Sequence, residues 1–180
     1  GWSVSGIDNL DPYYDVRIKK SNLGRLEGGA GFDFTLGDIN DPEALDKVFS
    51  GGCDLIVHLG AKAGVRASFL DPAGYARANI DGTLKLLERA RSEDVNKMVF
   101  ASSSSVYGDT SQVPYREDEE NTLPIAPYGL TKYHCEDYCR LYCQSHGFRI
   151  NALRFFTVYG PGQRPDMAIH KFIRSVRAGE

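Results

Sequence analysis

The sequence predicts an α/β protein built on a doubly wound parallel sheet. Three observations carry that prediction. Short apolar runs bounded by turn residues alternate along the chain with helical patterns. The clearest of those runs are apolar at nearly every position, as burial on both faces requires. Strand followed by helix, repeated, is the order of a parallel sheet covered by its own crossovers.

The elements follow in order. Trp2–Ile7 reads as a strand that ends in Asp8 and Asn9. Val16–Leu26 reads as a helix stopped by Gly28 and Gly29. Phe32–Leu36 is a second strand, closed by Gly37 and Asp38. Asp41 and Pro42 open a short helix through Phe49, with Asp41 as N-cap and Pro42 at the first helical position. Asp54–Leu59 is a short, strongly apolar strand. A loop from Gly60 to Pro72 leads to a long helix near Tyr75–Ser92. Lys97–Ser102 is a strand, Pro127–His146 a long helix, Arg149–Phe155 a strand, and Met167–Ala178 a last helix.

A length of 180 residues suits one domain, taken as 1–180, with a sizeable core. Hydrophobic residues at 42% and charged residues at 25% are ordinary for a globular protein. A net charge of -3 gives no bulk case for nucleic acid or an anionic membrane. No apolar run approaches the roughly 20 residues of a membrane helix, and no secretory signal is visible. Ten Tyr and nine Phe suit an aromatic-lined pocket and an ordinary core equally. Cys135, Cys139 and Cys143 recur every four residues, so they share a helix face. With Cys53 they read as small packing residues. No acid or His set converges on them to make a metal site, and no disulfide framework is spelled out. A reducing cytoplasm is the expected compartment.

In such sheets ligands sit beyond the carboxyl ends of the strands, so the strand tips are the candidates. Asp8 could accept both hydroxyls of an adenosine ribose and would repel a 2′-phosphate, which favours NAD over NADP; it could equally cap a turn. Asp38 could bond an adenine amino group while Ile39 packs on the ring. Gly60 and Ala61 are small enough for backbone to approach a cofactor. Asn79, inside the following helix, suits either a cofactor-side role or a bond to backbone across a helix–strand seam.

The sharpest constellation is Tyr128-Gly-Leu-Thr-Lys132. On a helix, positions i and i+4 put the phenol and the ammonium on one face. A free Tyr, with a pKa of about 10, is a poor base at neutral pH. A nearby ammonium, an oxidised nicotinamide and a helix N-terminus all favour the phenolate. Pro127 places Tyr128 in that first turn. Alone, the spacing is common by chance. Context comes from Ser102, Ser103, Ser104 and Ser105, which end the preceding strand and lead into Val106-Tyr107-Gly108. A hydroxyl there can donate to a sugar oxygen and relay a proton to the phenolate.

Taken in order, DNL at 8–10, GDI at 37–39, HLGAKAGVRAS at 58–68, NIDGT at 79–83, SSSSVYG at 102–108, YGLTK at 128–132 and RFFTVYGPGQRPDM at 154–167 resemble one family. It is that of the extended short-chain dehydrogenase/reductases acting on nucleotide sugars, and the resemblance covers essentially the whole chain. The last stretch is most similar to the UDP-glucuronate 4-epimerase subgroup. The resemblance implies a Rossmann-like sheet, NAD as cofactor, a UDP-sugar substrate and a homodimer paired through the helix bearing the Tyr–Lys motif and the one before it. The Cys135, Cys139 and Cys143 face is a candidate for that seam. By position it implies Ser103, Tyr128 and Lys132 as the catalytic set. Asp8, Asn9, Asp38, Ile39, Leu59, Gly60, Ala61, Lys62, Asn79, Ser102 and Phe156 would join Tyr128 and Lys132 around the cofactor. Ser104, Thr157 and Arg164 would meet the sugar, the last two at its carboxylate, which a guanidinium matches bidentately. Lys62 departs from the uncharged residue the subgroup pattern leads one to expect.

The implied chemistry is oxidation at the sugar C4 to a transient 4-keto sugar, rotation in the pocket and reduction from the other face. Ser104 and Ser105 stand where look-alike dehydratases carry an acidic pair and decarboxylases one Glu, which favours epimerisation. Such a 4,6-dehydratase or sugar-acid decarboxylase is still the nearest alternative, and a UDP-galactose-type 4-epimerase, which shares the catalytic set, is the second. A non-catalytic dinucleotide sensor has no need for that set. No GxxGxxG loop is present, so the sequence reading expects a chain cut at both ends. The central first strand with its phosphate-binding loop is expected ahead of it, and most of a substrate lobe after it, with the first substrate-binding elements expected at about 157–180. Two unpaired sheet edges, loss of activity and weak NAD binding are expected of such a piece.

Overall fold

The structure is a computed structural model and describes residues 1–110, 113–119 and 122–180. Its strands form two parallel sheets. The chain divides into two compact units, residues 1–38 with 157–180, and residues 39–156.

In the first unit, β1 (Val4–Asp8) runs parallel to β2 (Phe32–Leu36), from Val4 opposite Phe32 to Asp8 opposite Leu36. The strand begins two residues later than the apolar run suggests and takes in Asp8. Between them α1 (Val16–Gly24) starts at Asp15, whose carboxylate accepts from the Arg17 N–H. It ends before the expected Leu26; Arg25 and Leu26 continue as turns bonded three residues back. The helix α7 (Ala168–Ala178) starts after Met167 and ends on Gly179, whose φ of 77° is the left-handed cap that glycine favours. Neither α1 nor α7 buries a residue.

The second unit holds the core. Asp41 caps α2 (Pro42–Phe49), with Pro42 in the first turn as the sequence requires. β3 is Ile56–His58, β4 Lys97–Ala101 and β5 Arg149–Leu153, and the order β3-β4-β5 is parallel throughout. β3 is three residues rather than six because its ladder with β4 runs only from Ile56–Met98 to His58–Phe100. The expected loop after it contains a helical turn, α3 (Val65–Ser68). The long helix starts earlier than expected, because Asp71 caps it at Gly74 and Pro72 takes the first position. It runs as α4 (Pro72–Ala76), a π-helical turn at Arg77–Asp81, and α5 (Gly82–Ser92). α6 spans Pro127–His146, as predicted, and closes on Gly147 at φ 70°.

Burial on both sheet faces was expected and is found on one. Met98 and Phe100 are fully buried, while Val57 on the opposite face of the sheet is 56% exposed. The physical reason is where the helices lie. Leu45 and Phe49 of α2, Leu86, Leu87 and Ala90 of α5 and Tyr142 of α6 pack with Ile56 and Met98 on one side. Phe100 packs there against Cys135 and Cys139. Those two thiols therefore face the chain's own core, which removes them from any seam with a second copy. Burial pushes the Cys139 thiol up to about 12 and the Cys135 thiol in the same direction, so both are inert.

Leu87 has no exposed surface. Leu87→Ala should cost roughly 2–5 kcal/mol of stability, read from urea unfolding midpoints at an unchanged slope.

Candidate active site

The site is built where α6 meets the tip of β4. Ser102 and Ser103 leave the strand buried, at 4% and 7% exposure. The Ser103 hydroxyl accepts from the Ser105 N–H at 3.1 Å and starts a 3-10 turn, Ser104–Tyr107. The Ser104 N–H donates to the Phe155 carbonyl at 2.8 Å, tying the turn to the end of β5. Against this turn lies the first turn of α6. A Cβ on Gly129 would stand 2.6 Å from the Ser105 carbonyl oxygen, so only glycine lets the two backbones meet there. Tyr128 is the preceding residue. Its ring, half-buried, makes an edge contact with the buried Tyr75 at 6.3 Å between centroids. The serine turn and the Tyr128 turn thus share one corner of the unit.

Lys132 is one helical turn further on and 3% exposed. Its ammonium donates to the Ala101 carbonyl at 2.7 Å and lies 4.9 Å from the centroid of Phe100. Desolvation lowers its pKa to about 8. Behind it His58 bonds the Thr83 hydroxyl at 2.9 Å, and burial, then the Lys132 charge, hold its pKa down to about 3, so it is neutral.

Asn79 sits in the π-helical turn and makes the bonds across a helix–loop seam. Its side chain accepts from the Lys62 N–H at 2.8 Å and donates to the Lys62 carbonyl at 3.1 Å and the Thr131 hydroxyl at 2.9 Å. Thr131 in turn donates to the Tyr128 carbonyl at 2.8 Å. The loop after β3 and α6 are therefore fixed by one amide. Leu59, Gly60 and Ala61, just ahead of the fixed residue, are exposed. The Lys62 ammonium does not point free: it pairs with Asp71 at 2.7 Å. Ile39 packs against α5, where a Cβ on Gly82 would lie 2.5 Å from its Cδ1. Phe156 is 57% exposed and joins Tyr115 and Tyr107, at 5.4 and 6.4 Å, in an aromatic group.

The other predicted residues belong to the first unit. Asp8 closes a turn by accepting from the Leu10 N–H at 2.6 Å. Asn9 donates to Asp38 at 3.1 Å, so these two tips of β1 and β2 are joined. Thr157 is exposed. Arg164 lies over Tyr13 at 5.2 Å and pairs with Asp166 at 2.9 Å. Sequence reasoning missed His58, Thr83, Tyr75, Glu136 and Arg154. Glu136 alone had a signal, continuing the spacing of four from Tyr128 and Lys132. The others are joined by contacts too distant in sequence to leave one.

A family model described as the NAD dependent epimerase/dehydratase family matches residues 1–180. The chain belongs to that family. The family's members include a UDP-glucuronate 4-epimerase of Thermodesulfobacterium geofontis, 42% identical over 97% of this chain and 54% of that protein. Among solved structures, the UDP-glucuronic acid 4-epimerase of Bacillus cereus with UDP-glucuronic acid and NAD is similar at a TM-score of 0.89 and 37% identity, covering 98% of this chain and 55% of that one. The UDP-glucose 4-epimerase of Thermotoga maritima with UDP-glucose is similar at 0.87 and 33%, over 100% and 57%. The chain spans about half the length of such relatives, 55% and 54% of two of them. Among the described residues no helix is long and apolar enough to cross a membrane, and no group of three or more His, Cys, Asp or Glu could hold a metal ion.

The Lys132 environment has a measurable signature. Between about 8 and the ordinary 10.5, the unfolded chain binds the Lys132 proton and the folded chain does not. Folded stability must therefore rise with pH across that window. Wild type should gain on Lys132→Met between pH 8 and 10.5 and hold a constant difference below pH 8. Urea midpoints measured across that range check it.

Proposed function

We propose that the protein is an NAD-dependent 4-epimerase of UDP-sugars, converting UDP-glucuronate to UDP-galacturonate. The observation that carries the reading is the buried Lys132, one turn from Tyr128 on a helix seated against the Ser103 turn. Family membership supports it, and so do similar epimerase structures that hold UDP-glucuronic acid, or its 4-deoxy-4-fluoro analogue, together with NAD.

Bound NAD would supply the hydride acceptor and donor that oxidation and re-reduction at the sugar carbon require. The chain's residues do the rest. Lys132 would donate to the nicotinamide ribose and, as a cation, favour the Tyr128 phenolate. Tyr128 would take the proton of the sugar 4-hydroxyl, and Ser103 would hold that oxygen and pass the proton between them. Asn79 would keep the exposed backbone of Leu59, Gly60 and Ala61 presented to the dinucleotide, with Lys62 and Ile39 beside it. Ser102, Ser104 and Phe156 would border the sugar and the nicotinamide. For Asp8, Asn9 and Asp38 the resemblance gives adenosine roles. Thr157 and Arg164 would meet the sugar carboxylate.

One observation favours a second reading. Arg164 is paired with Asp166, which leaves an uncharged sugar such as UDP-glucose as the alternative substrate. We also place the protein in the cytoplasm as a homodimer; its free thiols suit that compartment, and sedimentation of the complete gene product tests the pairing.

Interconversion of UDP-glucuronate and UDP-galacturonate by the complete gene product is the direct assay. Tyr128→Phe should lower kcat by about 10²–10⁴-fold, the range for a lost general base. Arg164→Ala should cut turnover of UDP-glucuronate by roughly 10–150-fold, the equivalent of a lost charged hydrogen bond of ~1.5–3 kcal/mol, and spare UDP-glucose. Unchanged UDP-glucuronate turnover in that variant would remove Arg164 from the sugar carboxylate.

A further inference from the structure

Glu136 is a buried carboxylate to which the chemistry above gives no part. It stands on α6 one turn beyond Lys132 and two beyond Tyr128. Its side chain is 8% exposed, and that of its partner Arg154 16%. Arg154, just past β5, holds it as a fork: Nε lies 3.0 and 3.2 Å from the two carboxylate oxygens and Nη2 lies 2.8 Å from Oε2. The Ser102 hydroxyl donates to the same carboxylate. The guanidinium also lies over the Tyr107 ring at 4.8 Å, and Tyr107 stacks on Tyr115 at 4.9 Å.

A buried ion pair is a weak source of stability, because desolvating both charges offsets their attraction. What it provides is direction. A fork on a carboxylate fixes both distance and plane. Here it fixes the rotation of α6 about its axis relative to β5. Through Ser102 it fixes the tip of β4 as well. Ser103 is the next residue, so the phenol, the ammonium and the hydroxyl are all referred to one cross-link.

We propose that Glu136 and Arg154 are positioning residues that set Ser103 against Tyr128 and Lys132 and hold Tyr107 in the aromatic wall. The proposal rests on the epimerase reading. In the complete gene product, Glu136→Gln and Arg154→Lys should each lower kcat by ~10–100-fold, the scale of an ångström's misplacement of a reacting group. KM for the UDP-sugar and the bound NAD content should stay within about twofold. Leu87→Ala serves as the control, since it lowers stability in the same unit away from this corner. A purely structural pair would behave like that control, with a lower Tm and an unchanged kcat per folded molecule, and that result overturns the proposal. Should Glu136→Gln not fold, Arg154→Lys keeps the charge and removes only the fork. A crystal structure of either variant gives an answer independent of turnover: a displaced Ser102–Ser103 turn supports the proposal, and an unmoved one refutes it. Wild-type protein inactive on every UDP-sugar would end the epimerase reading, and the crystal structure would still decide the positioning.

Discussion

Two backbones can meet at the tip of β4 only because Gly129 carries no side chain. With any other residue the Cβ would press on the Ser105 carbonyl, and the first turn of α6 would have to lift away. That seating brings a serine turn, a phenol and a buried ammonium into one corner. The same corner is dry enough to depress the Lys132 pKa. Burial and proximity are thus set by one contact, and the proposed proton chemistry needs both.

Around that corner the unit spends polar groups that a simple apolar core would not need. Asn79 joins the loop after β3 to α6, His58 and Thr83 bond across the same core, and Glu136 with Arg154 joins α6 to the chain after β5. Each is held by specific partners, although one buried nitrogen of the Arg154 guanidinium, Nη1, has no hydrogen-bond partner. Such networks are costly when broken and directional when intact. The π-helical turn at Arg77–Asp81 falls at Asn79, the residue whose amide must reach two neighbours at once, and such turns are frequent where a helix has been adapted to a site.

Much of the site was legible in the sequence. Tyr128 and Lys132 are read from helical spacing, and Pro127 fixes where the helix starts. The serine run marks a polar strand end. Helix α2 is spelled out by Asp41 and Pro42, and β2 by its apolar run. Which sheet face the helices of this stretch cover was not legible, because apolar composition tells that a strand can be covered and not by what. The cysteine face was likewise misplaced: spacing puts three thiols on one side of α6, and only packing against Phe100 turns that side inward.

The sequence by itself determined the alternation of strands and helices, their caps, and which residue types stand at the strand tips, because these depend on neighbours within a few positions. Tertiary structure alone decided that Asn79 braces Lys62, that Lys62 is bound to Asp71, that Arg164 is held by Asp166, and that Glu136 meets Arg154 and Ser102. A hydrogen bond across tens of residues depends on where whole elements dock, and docking is settled by side-chain packing that no local pattern records.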